Sequence, residues 1–202
     1  MSLALPLNEE QRDCLQELTN VAMGAAAESL ASLTNHFVCL PIPVIRCVDP
    51  STLISSFDEI EIRSPTSVMT QDCSVGDLAC RALVIVSDES MNSLADCSNR
   101  TLHTDTDNIQ LMKDLFDTIS DTCFDRLGEI FETNVIRKDM TIEGMHIAPD
   151  AFDLKTIIDA QQMVAVEIHY HIESHPFSCH LLLIFPEDAI ETLAGNLDRL
   201  LD

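Results

Sequence analysis

The N-terminal part of the chain carries the clearest hydrophobic pattern. Apolar side chains recur at helical spacing from Asn8 to about Leu33, which predicts one long helix. Asn8 and Gln11 form an approximate capping box, so we expect the helix to begin there. Pro41 and Pro43 follow, and each favours an extended conformation in the residue before it. The helix is therefore predicted to give way to strands.

Shorter periodic segments predict the remaining elements. In the first half we expect strands near Val44–Val48, Ile60–Arg63 and Cys80–Val86 and a short helix near Ser90–Cys97. The polar stretch Ser98–Thr106 is the candidate linker. In the second half we expect a long helix near Asp107–Thr133, strands near Met140–Ile147, Met163–Glu173 and Cys179–Phe185, and a last helix near Asp188–Leu201.

The two halves resemble each other most clearly at their late strands. The segment ACRALVIVSDESMNSLA, Ala79–Ala95, aligns without gaps on SCHLLLIFPEDAIETLA, Ser178–Ala194. This self-similarity predicts an internal duplication with pseudo-twofold symmetry. We therefore expect an α+β fold in which long helices pack on a mixed or antiparallel sheet. Residues 1–202 would form one domain, with repeats at about 8–97 and 107–202.

Composition narrows the classes of function. The 202 residues carry a formal net charge of −23, which argues against binding to nucleic acid or to an anionic membrane surface. No apolar run approaches the roughly 20 residues that a membrane helix needs. Met1–Leu7 has no basic n-region and only a short apolar run, which does not fit a secretory signal. We expect a cytoplasmic protein whose partners are other proteins.

Cysteine and histidine form no convincing metal or redox motif. The eight cysteines include no CxxC pair, and most lie in apolar runs, so we expect buried structural thiols. His169, His171 and His175 occur in the stretch HYHIESH, and alternate residues of a strand share a face. No cysteine or carboxylate completes a ligand set for them in the sequence. We interpret them as surface or interface histidines and predict no metal site.

The first helix carries a polar file opposite its apolar stripe. On a wheel of about 100° per residue, Asp13, Glu17, Asn20 and Gly24 line up there. An ordinary solvated face would explain the three polar residues. Gly24, however, costs roughly 1 kcal/mol relative to alanine in a helix interior, and a solvated face gains nothing from it. With Ala27, Gly24 leaves room for another protein's backbone to approach beside Asn20.

These residues resemble a known signature. Asp13, Glu17, Asn20 and Pro43 fit the pattern D-x3-E-x2-N-x22-P of the CheC, CheX and FliY phosphatases of bacterial chemotaxis. The surrounding LQELTNVAMGAAAESLASL resembles the typical CheC helix, and SVGDLACRALVIV resembles a turn and strand of that family. The resemblance covers essentially the whole chain and is nearest to a stand-alone CheC-like protein.

The resemblance implies an activity and a role for each residue. Members of this family hydrolyse the aspartyl phosphate of a response regulator, usually CheY. Asn20 would orient the attacking water, and Glu17 would pair with a lysine beside the phosphorylation site. Asp13, Gly24 and Pro43 would contact the partner. Mg2+ would belong to the regulator, so no cofactor of this chain's own is implied, and a CheD-type receptor deamidase is a second possible partner.

The second long helix departs from the signature. Spacing from the matched strands favours aligning Asp117, Asp121 and Phe124 with the polar residues of the first helix, and a shifted register would align Asp125, Glu129 and Glu132 instead. The asparagine position then holds phenylalanine or glutamate, and neither side chain supplies an amide. We therefore expect a single active site, on the first helix, with the second helix structural or partner-binding.

Other functions stay open at this point. The chain could be a non-catalytic CheC-like module that docks a response regulator or a CheD-type deamidase, or an intact fold used as a structural subunit. A flagellar switch subunit is a weaker hypothesis because no segment resembles the FliN module of FliY. The final strand LLLIF would favour a homodimer if it lay at an exposed sheet edge, and the sequence does not fix its place.

Overall fold

The computed structural model describes residues 7–49, 51–53, 55, 62–153 and 162–201. The helices in this part of the chain are α1 Glu9–Thr34, α2 Asp88–Cys97, α3 Asp105–Phe116, α4 Thr122–Ile130 and α5 Ile190–Leu201. A π-helical segment, Asp117–Asp121, joins α3 to α4. The strands are β1 Val38–Cys39, β2 Val44–Val48, β3 Thr66–Val75, β4 Leu78–Ser87, β5 Val135–Arg137, β6 Thr141–Ile147, β7 Met163–Ile172 and β8 Ser178–Pro186.

The strands form one sheet in which every described pairing is antiparallel. Its order is β1, β7, β8, β4, β3 and β5, and in addition β2 pairs with β7 and β6 pairs with β3. Each half of the chain therefore supplies short strands to the long hairpin of the other half. The expected α+β class is confirmed, and the described sheet is antiparallel rather than mixed.

Long helices cover one face of this sheet and enclose the main core. Burial of one large apolar side chain contributes about 1.5 to 3 kcal/mol, so this layer is the chief source of stability. A second, smaller cluster packs on the opposite face beneath Leu53, Ile62 and Phe152. The largest side chains of the main core are at most 2% exposed and include Leu15, Leu30, Phe116, Phe124 and Tyr170.

The first helix forms where its sequence predicts. Asn8 Oδ1 accepts a hydrogen bond from Gln11 N at 2.8 Å, and Gln11 Oε1 accepts one from Asn8 N at 3.0 Å, so the capping box is complete. The helix ends at Thr34, because Asn35 turns into the left-handed region with φ of 57°. No helix among the described residues combines the length and apolar character that a membrane span requires.

The strand registers relate the two halves in a nearly twofold way. Leu83 and Leu182 hold equivalent positions in the two similar segments, and they are Cα partners in the central pairing of β4 with β8. The strands β3 and β7 also show the same order of buried and half-buried residues along their length. These matches fit the predicted symmetry, while the duplication itself stays a prediction.

The strand predicted at Ile60–Arg63 needs correction. Residues 60 and 61 lie outside the described part of the chain, and the two described residues that follow are not in a strand. The strand of this region is β3, which the sequence did not reveal because its buried polar residues hide any alternation. Those groups are satisfied by hydrogen bonds: the Thr70 hydroxyl donates to Glu143, and Gln71 Nε2 donates to the Lys138 carbonyl at 3.0 Å.

The position of the last strand is settled by the sheet order. β8 lies between β7 and β4, so both of its edges are already hydrogen-bonded to neighbouring strands. A homodimer formed by pairing of this strand is therefore excluded. Two edge strands, β1 and β5, were not predicted, because segments of 2 and 3 residues are too short to show a period of two.

Candidate functional site on the first helix

The solvent face of α1 carries the polar residues that the sequence singled out. Asp13, Glu17 and Asn20 are exposed, and Gly24 is half-buried. Their spacing of three and four residues places them on successive turns of one helix face. Within the described part of the chain, no hydrogen bond or ion pair engages the side chains of Asp13, Glu17 or Asn20. All three keep their full bonding capacity for a partner.

Gly24 has no packing reason to be a glycine. A Cβ built on it would meet no other atom within 4 Å, apart from its own helix turn. At Gly128 in α4, by contrast, a Cβ would lie 2.6 Å from the Val135 side chain, so close packing explains that glycine. The surface beside Gly24 is open, and a glycine there extends the space available next to Asn20.

Pro43 lies differently from the other signature residues. It is buried, and its carbonyl oxygen accepts a hydrogen bond from Gln16 Nε2 at 2.8 Å. Gln16 lies on α1 next to Glu17, so this bond holds the loop before β2 against the functional helix. The expected contact of Pro43 with a partner would therefore be indirect, through the position of the loop. Sequence reasoning missed Gln16, because nothing in the local pattern separates this half-buried glutamine from other polar residues of the helix.

Exposed apolar side chains accompany the polar file. Val21, which follows Asn20, is 47% exposed, and Ile42, which precedes Pro43, is 72% exposed. Single exposed apolar residues are common on protein surfaces, so these two add apolar area near the polar file but do not by themselves indicate a partner. Each is adjacent in sequence to a signature residue, and this adjacency is the feature of the sequence that could have pointed to them.

The charge of this face restricts what it can bind. The carboxylates of Asp13 and Glu17 lie one helical turn apart, and the neutral amide of Asn20 lies one turn further along the helix. A free phosphate ion would be repelled by two carboxylates. A surface that presents a lysine or arginine would be attracted, and the amide can both donate and accept hydrogen bonds. The face therefore suits a protein partner with a basic group.

Strand pairing fixes which residues of the second long helix correspond to this face. Adding 97 to a residue number of the first half gives its counterpart in the second half, so Val38 corresponds to Val135 and Val75 to Ile172. The paired residues Val38 and Ile172 of β1 and β7 therefore correspond to the paired residues Val135 and Val75 of β5 and β3. The same shift carries seven buried residues of α1 onto seven buried residues of the second helix, namely Met112, Phe116, Ile119, Ser120, Cys123, Phe124 and Leu127.

By this register the counterparts of Asp13, Glu17 and Asn20 are Gln110, Asp114 and Asp117. Both registers predicted from the sequence are therefore wrong. The first placed Phe124 at the asparagine position, but Phe124 is fully buried and points into the core. The second began at Asp125 and is displaced still further. The expected lack of an amide nevertheless holds, since Asp117 occupies the place of Asn20.

The three histidines of HYHIESH do not form one cluster. The His169 ring stacks on the His180 ring with centroids 4.4 Å apart. The centroid of the His171 ring lies 5.5 Å from that of His169. His180 Nδ1 is 2.8 Å from Glu167 Oε1 in a buried pair. Burial, with His180 and His171 adding to it, lowers the pKa of His169 to about 4, so this ring is neutral at pH 7. His175 lies outside this group.

Comparison with known proteins gives the fold a family. The structure matches FliY from Thermotoga maritima with a TM-score of 0.69 and 16% identity, covering 98% of this chain and 99% of that one. It matches a chain of the FliG-FliM complex from H. pylori (0.64, 10%, 94% and 100%) and CheX from Desulfovibrio desulfuricans (0.55, 8%, 83% and 97%). This chain has the CheC/CheX/FliY fold.

The likeness lies in the architecture rather than in the residues, since identities of 8 to 16% show the fold alone. No protein-family model matches the sequence, and no curated protein matches it by sequence comparison. The CheC-like fold was expected from the signature, and the structural neighbours confirm it. Proteins with this fold include FliY and CheX as well as FliM, so the fold by itself does not decide the function.

Proposed function

We propose that this protein is a cytoplasmic CheC-like phosphatase that hydrolyses the aspartyl phosphate of a CheY-type response regulator. The observation that carries the proposal is the pair Glu17 and Asn20 on an exposed helix face, with no hydrogen-bonding or ionic partner in the described part of the chain, which has the CheC/CheX/FliY fold. Unpaired polar side chains on a structured helix, next to open space at Gly24, are arranged for an external partner.

The chemistry needs few groups. An acyl phosphate is already activated, and phosphoryl transfer depends mainly on positioning and charge stabilisation. The Asn20 carboxamide would hold a water in line with the phosphorus by donating and accepting hydrogen bonds, without acting as a base. Glu17 would pair with a regulator lysine and fix the docking angle. Mg2+ would be held by the regulator's own carboxylates, and this chain would use no cofactor.

Docking would use the surface around these two residues. Asp13 extends the acidic side of the face toward a basic group, and Gly24 lets the partner's backbone come close. Val21 and Ile42 offer exposed apolar area at the rim, and the bond from Gln16 to Pro43 keeps the neighbouring loop in place. Apolar side chains beside the polar groups would add apolar contact area to the interface.

A second candidate function is a non-catalytic binding module. It is favoured by the match to the FliG-FliM complex, in which a protein of this fold is solved with another protein. The module would dock a response regulator, a CheD-type deamidase or a switch component, and would act by occupancy. It differs from the first candidate in one respect: Asn20 would then have no effect on the lifetime of a phosphorylated regulator.

The experiment measures decay of a CheY-type regulator phosphorylated with acetyl phosphate and Mg2+, with and without this protein. The variants are Asn20→Ala and Glu17→Ala, and the matched controls are Asn92→Ala on α2 and Glu28→Ala on α1, both exposed. Binding to the regulator is measured in parallel by calorimetry.

Faster decay that disappears in Asn20→Ala and persists in both controls would support the phosphatase. Unchanged decay together with binding would reject it in favour of the docking module. Absence of both acceleration and binding, against several CheY-type regulators, would reject both functions and leave a structural subunit.

A further inference from the structure

Three residues from distant parts of the chain converge at the end of α1. His36 follows α1, Cys97 is the last residue of α2, and His175 lies in the turn between β7 and β8. Their ligand atoms, one per side chain, all lie within 4.8 Å of one another. Tetrahedral Zn2+ with bonds of about 2.0 to 2.3 Å needs ligand atoms about 3.3 to 3.8 Å apart, so small side-chain movements would complete such a site.

The hydrogen bond that His36 makes leaves its other ring nitrogen available to a metal. Its Nδ1 lies 2.6 Å from the Thr34 carbonyl oxygen, which can only accept a hydrogen bond, so the ring proton sits on Nδ1. The lone pair of Nε2 is then free to bind a cation. A histidine whose second nitrogen donates to a carbonyl is the usual outer-shell arrangement in zinc sites. The His36 and His175 rings meet edge to face with centroids 4.2 Å apart.

Backbone contacts hold the cluster together without a metal. Glu173 N donates to the Phe37 carbonyl oxygen at 3.0 Å, which ties the β7–β8 turn to the segment after α1. Ser178 N donates to Ser90 Oγ at 3.1 Å, which ties the start of β8 to α2. The three ligand-bearing segments are therefore preorganised, and little conformational entropy would be lost on binding.

Acidic residues near the cluster favour a cation. Cys97 is 5% exposed, while the two histidines are half-buried and give access from solvent. An open cleft of about 530 Å³ reaches His175 and is lined by the carboxylates of Asp88, Glu89 and Asp96. Zn2+ binds the thiolate form of cysteine, so a bound cation would displace the proton of the Cys97 thiol.

We propose that His36, Cys97 and His175 form a Zn2+ site that joins the C-terminal ends of α1 and α2 to the β7–β8 turn. One thiolate and two imidazoles are a donor set that zinc prefers, and a water from the cleft would fill the fourth position. The site lies at the opposite end of α1 from Asp13. It would therefore pin the far end of the helix that carries Asn20, without touching the polar face.

The test is a titration of the metal-free full chain with Co2+, a spectroscopic stand-in for Zn2+, followed by displacement with Zn2+. The variants are Cys97→Ser, His36→Gln and His175→Gln. The matched controls are Cys47→Ser, a half-buried cysteine in β2, and His103→Gln, an exposed histidine before α3. Circular dichroism checks that every variant is folded.

The expected result is one Co2+ per chain with a thiolate-to-cobalt charge-transfer band and tetrahedral visible bands. The charge-transfer band should vanish in Cys97→Ser, and each histidine variant should bind about 10- to 100-fold more weakly, with both controls unchanged. Zn2+ should also raise the thermal midpoint of the wild-type chain and not that of the histidine variants.

The proposal is overturned if the folded wild-type chain binds no Co2+, if the thiolate band survives in Cys97→Ser, or if the controls lose it equally. Because His36 and His175 are only half-buried, their variants decide the question even if Cys97→Ser fails to fold.

Discussion

The solvent face of α1 and its counterpart on α3 and the π segment lie at matching places against the sheet, but their polar groups are used differently. On α1, Glu17 and Asn20 have no partner among the described residues. On the second helix, Asp114 forms an ion pair with Arg100 and accepts a hydrogen bond from Gln110 Nε2 at 2.8 Å. The polar groups of Glu17 and Asn20 are left without partners in the described part of the chain, whereas Asp114 on the second helix is held by side chains of the same chain.

The same contrast continues along the second helix. Arg137 of β5 places Nε 2.9 Å from Asp121 Oδ1 and Nη2 2.5 Å from Asp125 Oδ1, and it also donates to the Asp121 carbonyl. Two acidic residues that resembled part of a second site are thus used to attach the helix to the sheet edge. Acidic residues at helical spacing can therefore be either free for a partner or held in ion pairs. What distinguishes the two cases is whether an arginine of the same chain lies beside them.

The largest effect that tests this comparison is expected from Phe124→Asn. Phe124 is 0% exposed, so the variant should lose about 3 to 5 kcal/mol of unfolding free energy and gain no phosphatase activity. Urea unfolding measures the loss, with Phe37→Asn as control, because Phe37 is 69% exposed and should change by less than about 0.5 kcal/mol. A stable Phe124→Asn variant would mean that the second helix sits in a different register.

The next effect concerns activity. Asn20→Asp gives α1 the residue that its counterpart carries at Asp117, and the carboxylate would repel the phosphoryl oxygens. The part of the decay rate that this protein adds to the regulator's own hydrolysis should fall about 100-fold, which corresponds to about 2.7 kcal/mol in activation free energy. Stability should stay within about 0.5 kcal/mol, since the site is exposed.

The reciprocal change, Asp117→Asn, serves as its control and should leave the decay rate unchanged. If it raised the rate instead, the two faces would be equivalent and the single-site interpretation would be refuted.

A smaller effect is expected from Arg137→Ala, which leaves two carboxylates without their cation. The Arg137 side chain is 22% exposed, so loss of its charged hydrogen bonds should lower the unfolding free energy by about 2 kcal/mol. Asp13→Ala and Glu17→Ala on the unpaired face should each change it by less than about 0.5 kcal/mol. Equal losses for all three in urea unfolding would erase the distinction between paired and unpaired faces.

The smallest effect is expected from Gly24→Ala. A Cβ there meets open space, so the helix should be stabilised by about 1 kcal/mol. Gly195→Ala in α5, where a Cβ is equally unobstructed, should show the same gain in thermal unfolding. Only Gly24→Leu, and not Gly195→Leu, should slow the decay of the phosphorylated regulator. Equal activity in the two leucine variants would mean that no partner backbone approaches Gly24.

Sequence reasoning succeeded where structure is local. The start of α1 followed from Asn8 and Gln11, and β2 was predicted with the bounds that it has, Val44–Val48. It failed at β3, whose buried Thr70 and Gln71 depend on acceptors more than sixty residues away in β6 and the loop before it. It placed the second helix correctly near Asp107–Thr133 but misaligned it on the first, because the spacing of the similar strands does not show which residues of a helix meet the sheet.

The sequence by itself determined the capped first helix, its apolar stripe and the file of Asp13, Glu17 and Asn20 on the opposite side. These features depend on hydrogen bonds and side-chain contacts within four residues along the chain. Only the tertiary structure decided the register of the second helix and the meeting of His36, Cys97 and His175. Both depend on antiparallel pairings between the two halves, and no local pattern encodes which distant residues such pairings bring together.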